Sequence, residues 1–293
     1  MRKVYKSIIG VIAFLDILLV LTLGVIILAI ISIPRILPIK FIKKFITKVS
    51  NEIGNLIVKT LKVSLKVIHR PNWDIKIPDG LSPNHWYIAM SNHMSWADIF
   101  VLLFLGHKKI PLLKFFMKKE LKWIPIIYLV NKTIDMPFVN RHNREQIQNN
   151  PDLKKIDFEN ARIAAKKFTR YPSTAFSFAE GTRFTPSKHA KQHSPYNDLL
   201  KPKIGALTTA LSGMPMVNYL LDFTIVYKTK KRSAWDFLCG EMQIAKVVVK
   251  KYRIPESLKD WAIKNEDRYK EEFKIFIDKV WVKKQALIDE LRF

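Results

Sequence analysis

Asp98 follows His93 by five residues in the stretch Met90-Ser-Asn-His-Met-Ser-Trp-Ala-Asp98, and the apolar run Trp86-Tyr-Ile-Ala-Met90 leads into it. Burying Asn92, His93 and Asp98 at the end of an apolar strand costs free energy unless each finds a partner. If the strand ends at Met90, the following residues form a strand-to-helix turn, with His93 and Asp98 on either side of the helix start. The carboxylate then reaches one imidazole nitrogen and leaves the other to take a proton. That is a general base with its orienting group and no nucleophile of its own, so the nucleophile would come from a substrate. With seven histidines in the chain, a carboxylate five residues on also arises as a satisfied structural turn.

Three other stretches carry candidate groups. Ser177-Phe-Ala-Glu-Gly-Thr-Arg-Phe184 reads as a strand entering a turn. Gly181 allows the turn to be tight, Arg183 offers the fork that suits a phosphate, and Thr182 offers a hydroxyl. Glu180 would hold the arginine or the turn in place. Met136-Pro-Phe-Val-Asn-Arg141 is a short apolar approach ending in arginine, and Gly213-Met-Pro-Met-Val217 is a loop feeding a buried strand. Taken singly, each is also an ordinary turn or strand end with solvated charges.

The elements that must position these groups follow from period and punctuation. Strand-like runs at Trp86–Met90, Ile110–Phe116, Ser173–Phe178, Met216–Tyr227 and Gln243–Val249 alternate with helical patterns at Asp98–Leu105, Asp157–Phe168 and Ile204–Leu211. That alternation predicts an α/β domain with a central mixed sheet flanked by helices. Lys188–Tyr196, polar and with two histidines, is expected to be a long loop, and Glu256–Leu291 charged and mostly helical. The expected organisation is an N-terminal transmembrane helix over residues 1–33, a basic amphipathic helix over 34–70, the α/β domain over 71–255 and a helical segment over 256–293.

Ile8 to Ile33 is apolar apart from Asp16 and a few small polar residues, a length that suits a membrane span of about 20 residues. It is long for the core of a cleaved signal sequence, the alternative reading. Basic residues flank it on both sides and are denser after it, at Arg35, Lys40, Lys43, Lys44 and Lys48, which favours a cytoplasmic body held at the inner membrane. Pro34 and Pro38 close the first helix. Beyond them, apolar residues at 39, 42, 45, 46, 49, 53, 56 and 57 make one greasy face opposite a lysine-rich one. Such a helix either lies in an anionic membrane interface or packs on the protein's own core. The 293 residues carry 50 basic and 25 acidic side chains, a net charge of +25 that suggests a polyanionic partner. Nucleic acid, anionic headgroups and phosphorylated substrates all qualify. One cysteine, Cys239, excludes an intramolecular disulfide framework and a cysteine-rich zinc site.

Taken together and in order, the four stretches resemble the motif blocks of the glycerolipid acyltransferase family, which includes the 1-acyl-glycerol-3-phosphate (lysophosphatidic acid) acyltransferases. The first block, N-H-x4-D, is complete. The second falls at Phe138-Val139-Asn140-Arg141. The third matches at Phe178 and from Glu180 to Arg183, departing at Ala179 and Phe184. The fourth matches at Met214-Pro215-Met216-Val217 and departs at Asn218. Met117-Lys-Lys-Glu-Leu121 followed by Pro125 is similar to the family too, and the resemblance runs from about residue 80 to 230. The long spacing between the second and third blocks, and Phe184-Thr-Pro, look like a membrane-anchored bacterial branch.

The resemblance implies acyl transfer from acyl-CoA or acyl carrier protein to a lysophospholipid. The default acceptor is 1-acyl-sn-glycerol-3-phosphate; lysophosphatidylglycerol and lysocardiolipin are alternatives. His93 would be the base and Asp98 its orienter. Arg183 and Arg141 would hold the acceptor's phosphate, with Lys118 a further candidate, and Gly181, Thr182 and Glu180 would shape that pocket. No bound cofactor or metal is implied, the partners are membrane lipids and the two substrates, nucleic acid is not expected, and Cys239 reads as a core residue. The rivals are a membrane-tethered protein that binds nucleic acid or anionic lipid without catalysis, a lipid hydrolase, and an inactive family member. The sequence contains no zinc-finger or RNP-like motif and no G-x-S-x-G.

Overall fold

The computed structural model describes residues 2–139, 148–150, 152–259 and 266–293. Two long helices come first, α1 (Arg2–Ser32) and α2 (Lys40–His69), joined by a 3-10 turn over Ile33–Ile36. Then follow β1 (Asn72–Lys76), β2 (Tyr87–Ser91), α3 (Asp98–Gly106), β3 (Leu113–Lys114), β4 (Met117–Lys118), α4 (Pro125–Thr133), β5 (Phe138–Val139) and α5 (Asp152–Ala165). The chain continues with β6 (Thr174–Phe178), α6 (Pro186–Gln192), α7 (Gly205–Gly213), β7 (Tyr219–Tyr227), α8 (Ala234–Leu238), β8 (Ile244–Arg253) and α9 (Glu266–Leu291).

Six strands form a mixed sheet in the order β1-β8-β7-β2-β6-β3, with only the β7–β8 pair antiparallel; β4 and β5 pair in a separate ribbon. β2 lies at the centre with all five residues buried, because both sheet faces are covered. Its alternate side chains separate accordingly. Tyr87 and Ala89 join the apolar cluster under α1, α2 and α3, while Ile88 and Met90 join the one under α5, α7 and α9. Gly213 permits α7 to press on α5, since a Cβ there would sit 2.6 Å from that of Ala165.

α2 packs on the body through Ile46, Val58, Leu61 and Leu65, and leaves Phe41, Phe45 and Val67 exposed. α1 is long and apolar enough to cross a membrane by length and composition, with most of its surface uncovered. It lies along the body throughout. Gly10 sits against Cys239 and Trp235, Asp16 accepts a 2.6 Å hydrogen bond from Ser64 of α2, and Gly24 sits against Ile57.

Two expectations are corrected. The stretch read as a loop over Lys188–Tyr196 begins inside a short helix, α6. Pro186 supplies its first turn, and the Thr185 hydroxyl caps it by accepting the Lys188 N–H. The strand expected over Ile110–Phe116 pairs only at Leu113–Lys114. It is the sheet's outer strand, bonded to β6 alone, and Pro111 has no N–H to offer a ladder.

Candidate active site

β2, β6 and β3 run parallel, so the segments that leave their carboxyl ends converge at one edge of the sheet. This is where open α/β sheets place their ligands. From β2 comes the turn from Asn92 to Asp98, from β6 the turn from Ala179 to Arg183, and from β3 the pair Phe115 and Phe116. Together they line a cleft of about 330 Å³.

Asn92 extends the ladder past the end of β2. Its amide donates to the Ile225 carbonyl at 2.8 Å and accepts the Ile225 N–H at 2.9 Å, so the polar side chain is satisfied although buried. The next residue is thereby turned out of the sheet. His93 Nδ1 lies 2.9 Å from Asp98 Oδ2, with Asp98 fully buried at the start of α3. The same carboxylate accepts the N–H groups of Met94 and Ser95 at 2.7 and 2.9 Å and the Tyr227 hydroxyl at 2.8 Å. Burial and the neighbouring carboxylate push the Tyr227 phenol well up, so it stays a donor. With four donors aimed at Asp98, Nδ1 carries the imidazole proton and Nε2 presents a lone pair. Among the described residues Nε2 has no hydrogen-bond partner, and the ring lines the cleft. It stacks on Phe178 with centroids 3.8 Å apart, which fixes its plane.

Glu180 is fully buried, and it holds the turn rather than the arginine. One oxygen accepts the His93 N–H at 2.8 Å and the other the Leu200 N–H at 3.1 Å. Burial pushes its carboxyl up to about 7, against the opposing pull of those N–H groups and of Lys284. α9 braces the same loop: Trp281 donates to the Leu200 carbonyl at 3.0 Å, and Lys284 pairs with Asp222 of β7 at 2.8 Å in the core. Gly181 takes a left-handed φ of +68°, which a side chain would strain.

Gly181, Thr182 and Arg183 line the cleft opposite the phenylalanines. The Arg183 guanidinium sits 5.2 Å from the Trp96 ring centre. The Thr182 hydroxyl accepts from Lys188 at 2.7 Å, and Lys188 also donates to the Arg183 carbonyl at 3.0 Å. Lys118 lies on β4, in the ribbon that begins just past Phe116. Arg141 lies outside the described residues. The fourth block, Met214 to Val217, sits at the amino end of β7, away from the cleft.

Sequence reasoning missed Tyr227, Lys188 and Lys284. Tyr227 ends a strand 129 positions from Asp98, and no local pattern marks the pairing. Lys188 was legible only through the helix cap that brings it back over Thr182.

The arrangement can take a proton from a group bound in the cleft and hold the resulting imidazolium against a fixed carboxylate. Its apolar wall and its arginine suit an acyl chain and an anion. A solved structure, the 1-acyl-sn-glycerophosphate (LPA) acyltransferase PlsC from Thermotoga maritima, is similar in fold. The match has a TM-score of 0.54 and 17% identity, over 99% of this chain and 98% of that one. No curated protein matches the sequence. The family model described as Acyltransferase matches residues 72–228, more than half of the chain, from β1 to the residue after Tyr227. The chain belongs to the Acyltransferase family.

Proposed function

We propose that this acyltransferase moves a fatty acyl group from a thioester, acyl-CoA or acyl carrier protein, to the free hydroxyl of a lysophospholipid. Its preferred acceptor is 1-acyl-sn-glycerol-3-phosphate, giving phosphatidic acid. The observation that carries the reading is the His93–Asp98 pair, Nδ1 engaged and Nε2 open, at the mouth of a cleft walled by Phe115, Phe116 and Phe178 and bearing Arg183.

Nε2 of His93 takes the hydroxyl proton as the oxygen attacks the thioester carbonyl. The tetrahedral intermediate collapses with loss of the thiolate, which receives the proton from the imidazolium. Asp98 stays in place through its four donors and stabilises the charged ring. A positioned base of this kind contributes about 10²–10⁴-fold, and holding two substrates together contributes much of the rest. Arg183 binds the acceptor's phosphate, a task that Arg141 and Lys118 share by the motif resemblance. Thr182 and Lys188 keep the arginine's loop in place. The exposed apolar surface of α1 and the lysines of α2 support a site held at the surface of the inner membrane, where such amphiphiles reside. We place the catalytic domain on the cytoplasmic side, where the basic flank of α1 favours it.

The test is acyl transfer by the detergent-purified full chain, with acyl-CoA or acyl carrier protein and a panel of lysophospholipids, products being identified by mass spectrometry. Diacyl product from lysophosphatidic acid, with KM for that acceptor raised at least tenfold in Arg183→Ala, is the expected result. Preference for another headgroup replaces the acceptor, and no product with any pair rejects the reading.

A further inference from the structure

A second cavity, of about 760 Å³, opens where α1 turns into α2. Arg35 enters it from the joint, and Lys40, Lys43 and Lys44 from the start of α2. Across from them stand Lys122, Lys132 at the end of α4, and Lys167 and Arg170 from the 3-10 turn after α5. Among the described residues the one carboxylate in this lining is Asp135, and it is already engaged. Arg35 donates to it at 2.6 Å, Arg170 at 3.2 Å and Thr47 at 3.1 Å. Eight cations thus share one neutralised acid; Lys122 and Lys132 rest over the Phe138 and Tyr128 rings, and the lining keeps a large excess of positive charge.

Two further observations point to an anion. α2 begins at Lys40 with no side-chain cap and no acid in its first turn, and three lysines occupy that stretch instead. A helix N-terminus carries partial positive charge and exposed N–H groups, so cations there are unfavourable and an anion is welcome. Lys114, fully buried behind Asp135 on β3, has no hydrogen-bond partner among the described residues. Burial pulls its ammonium down to about 8, with Asp135 opposing that shift and Arg35 adding to it.

Apolar side chains accompany the cations. Ile36, Met136, Phe138 and Tyr128 belong to the lining, Ile36 is 83% exposed, and the chain neighbours of two lining lysines, Phe41 and Trp123, are 76% and 88% exposed. A cationic pocket accompanied by aliphatic and aromatic side chains matches a ligand with a phosphate head and apolar tails, lying in a membrane interface. We infer that this cavity binds the phosphate headgroup of an anionic bilayer phospholipid, as a site separate from the cleft at His93. A soluble phosphate ester such as the nucleotide of coenzyme A shares the head chemistry but leaves these apolar side chains uncovered.

The test needs no turnover, so it stands or falls apart from the acyl-transfer reading. The detergent-purified full chain is titrated with phosphatidylglycerol, phosphatidylcholine or coenzyme A, and bound adducts are counted by native mass spectrometry. Phosphatidylglycerol should bind as one adduct at least tenfold more tightly than phosphatidylcholine. Its affinity should fall at least tenfold in Lys132→Gln/Lys167→Gln and in Lys40→Gln/Lys44→Gln, whose side chains at the helix start are exposed and tolerate exchange. It should stay within twofold in Lys191→Gln/Lys279→Gln, which removes the same charge from exposed surface elsewhere. Equal binding of the two lipids, or equal weakening in all three variants, overturns the assignment. So does one-for-one displacement of phosphatidylglycerol by coenzyme A.

Discussion

At the carboxyl edge of the sheet one carboxylate, Asp98, accepts four hydrogen bonds; at the α1–α2 joint eight cations surround one carboxylate. The first region holds few charges, and its central carboxylate is fixed by three donors from its own turn and by Tyr227 from a distant strand. The second holds many, and among the described residues only Arg35 and Arg170 of its cations pair with a carboxylate. A group meant to move a proton must be held in one geometry and one tautomer, which requires satisfied neighbours. A surface meant to take up an anion needs unneutralised charge, and it carries the self-repulsion as a standing cost.

The contrast breaks most readily at Asp98. Asp98→Asn places an amide N–H₂ among four donors, so the imidazole loses its fixed tautomer. Acyl-transfer kcat is expected to fall about 10³-fold or more with little change in acceptor KM. A loss under tenfold would mean that the carboxylate is mainly structural. Tyr227→Phe removes one of the four donors and leaves Asp98 Oδ1 short of a buried partner, a deficit of about 1–3 kcal/mol. A kcat about tenfold lower, together with a lower melting temperature, is the expected pair of readouts. Loss of stability alone would take Tyr227 out of the mechanism.

Glu180 sharpens the comparison through pH. Its carboxyl is raised from 4.5 to about 7 in the folded chain, because burial disfavours the charged form. Its contribution to stability is therefore complete below about pH 4.5 and lost as pH rises through about 7. Melting temperatures should decline across that window, and Glu180→Gln should flatten the decline while lowering stability at pH 5, since one backbone N–H loses its acceptor. An unchanged slope would contradict the burial argument. Gly181→Ala strains a backbone at φ +68° by about 1 kcal/mol, and a modest rise in acceptor KM should accompany it. The smallest effect has the opposite sign. In lipid-free detergent Lys132→Gln/Lys167→Gln should raise the melting temperature by about 1–2 °C, because it relieves repulsion. A drop would mean that these lysines are already paired.

The same contrast explains what the sequence disclosed. His93 and Asp98 lie five residues apart across a strand-to-helix turn, so apolar run, polar cluster and helical pattern point to the pair directly. The glycine and arginine after β6 were visible because a tight turn and a forked cation leave residue-type signals. Glu180 was visible as a residue but its task was not: its partners are the backbone N–H groups of His93 and Leu200, which no side-chain pattern reports. The partnership of Tyr227 with Asp98 depends on strand order, and α6 was hidden by a polar composition that suits a loop as well as a capped helix. The basic cavity was legible only as net charge, since its lining is gathered from residues between 35 and 170. The basic face of α2 left membrane interface and own core as open alternatives. The helix does pack on the core, while Phe41, Phe45 and Val67 still face outward.

The central claim is that His93 accepts the acceptor's proton. The direct measurement is the rate of acyl transfer to lysophosphatidic acid at saturating acyl-CoA, wild type against His93→Ala, with melting temperature and acceptor binding recorded on both proteins. A fall of about 10²–10⁴-fold in kcat, with folding and acceptor affinity retained, is the predicted result. Equal rates in the two proteins would contradict it.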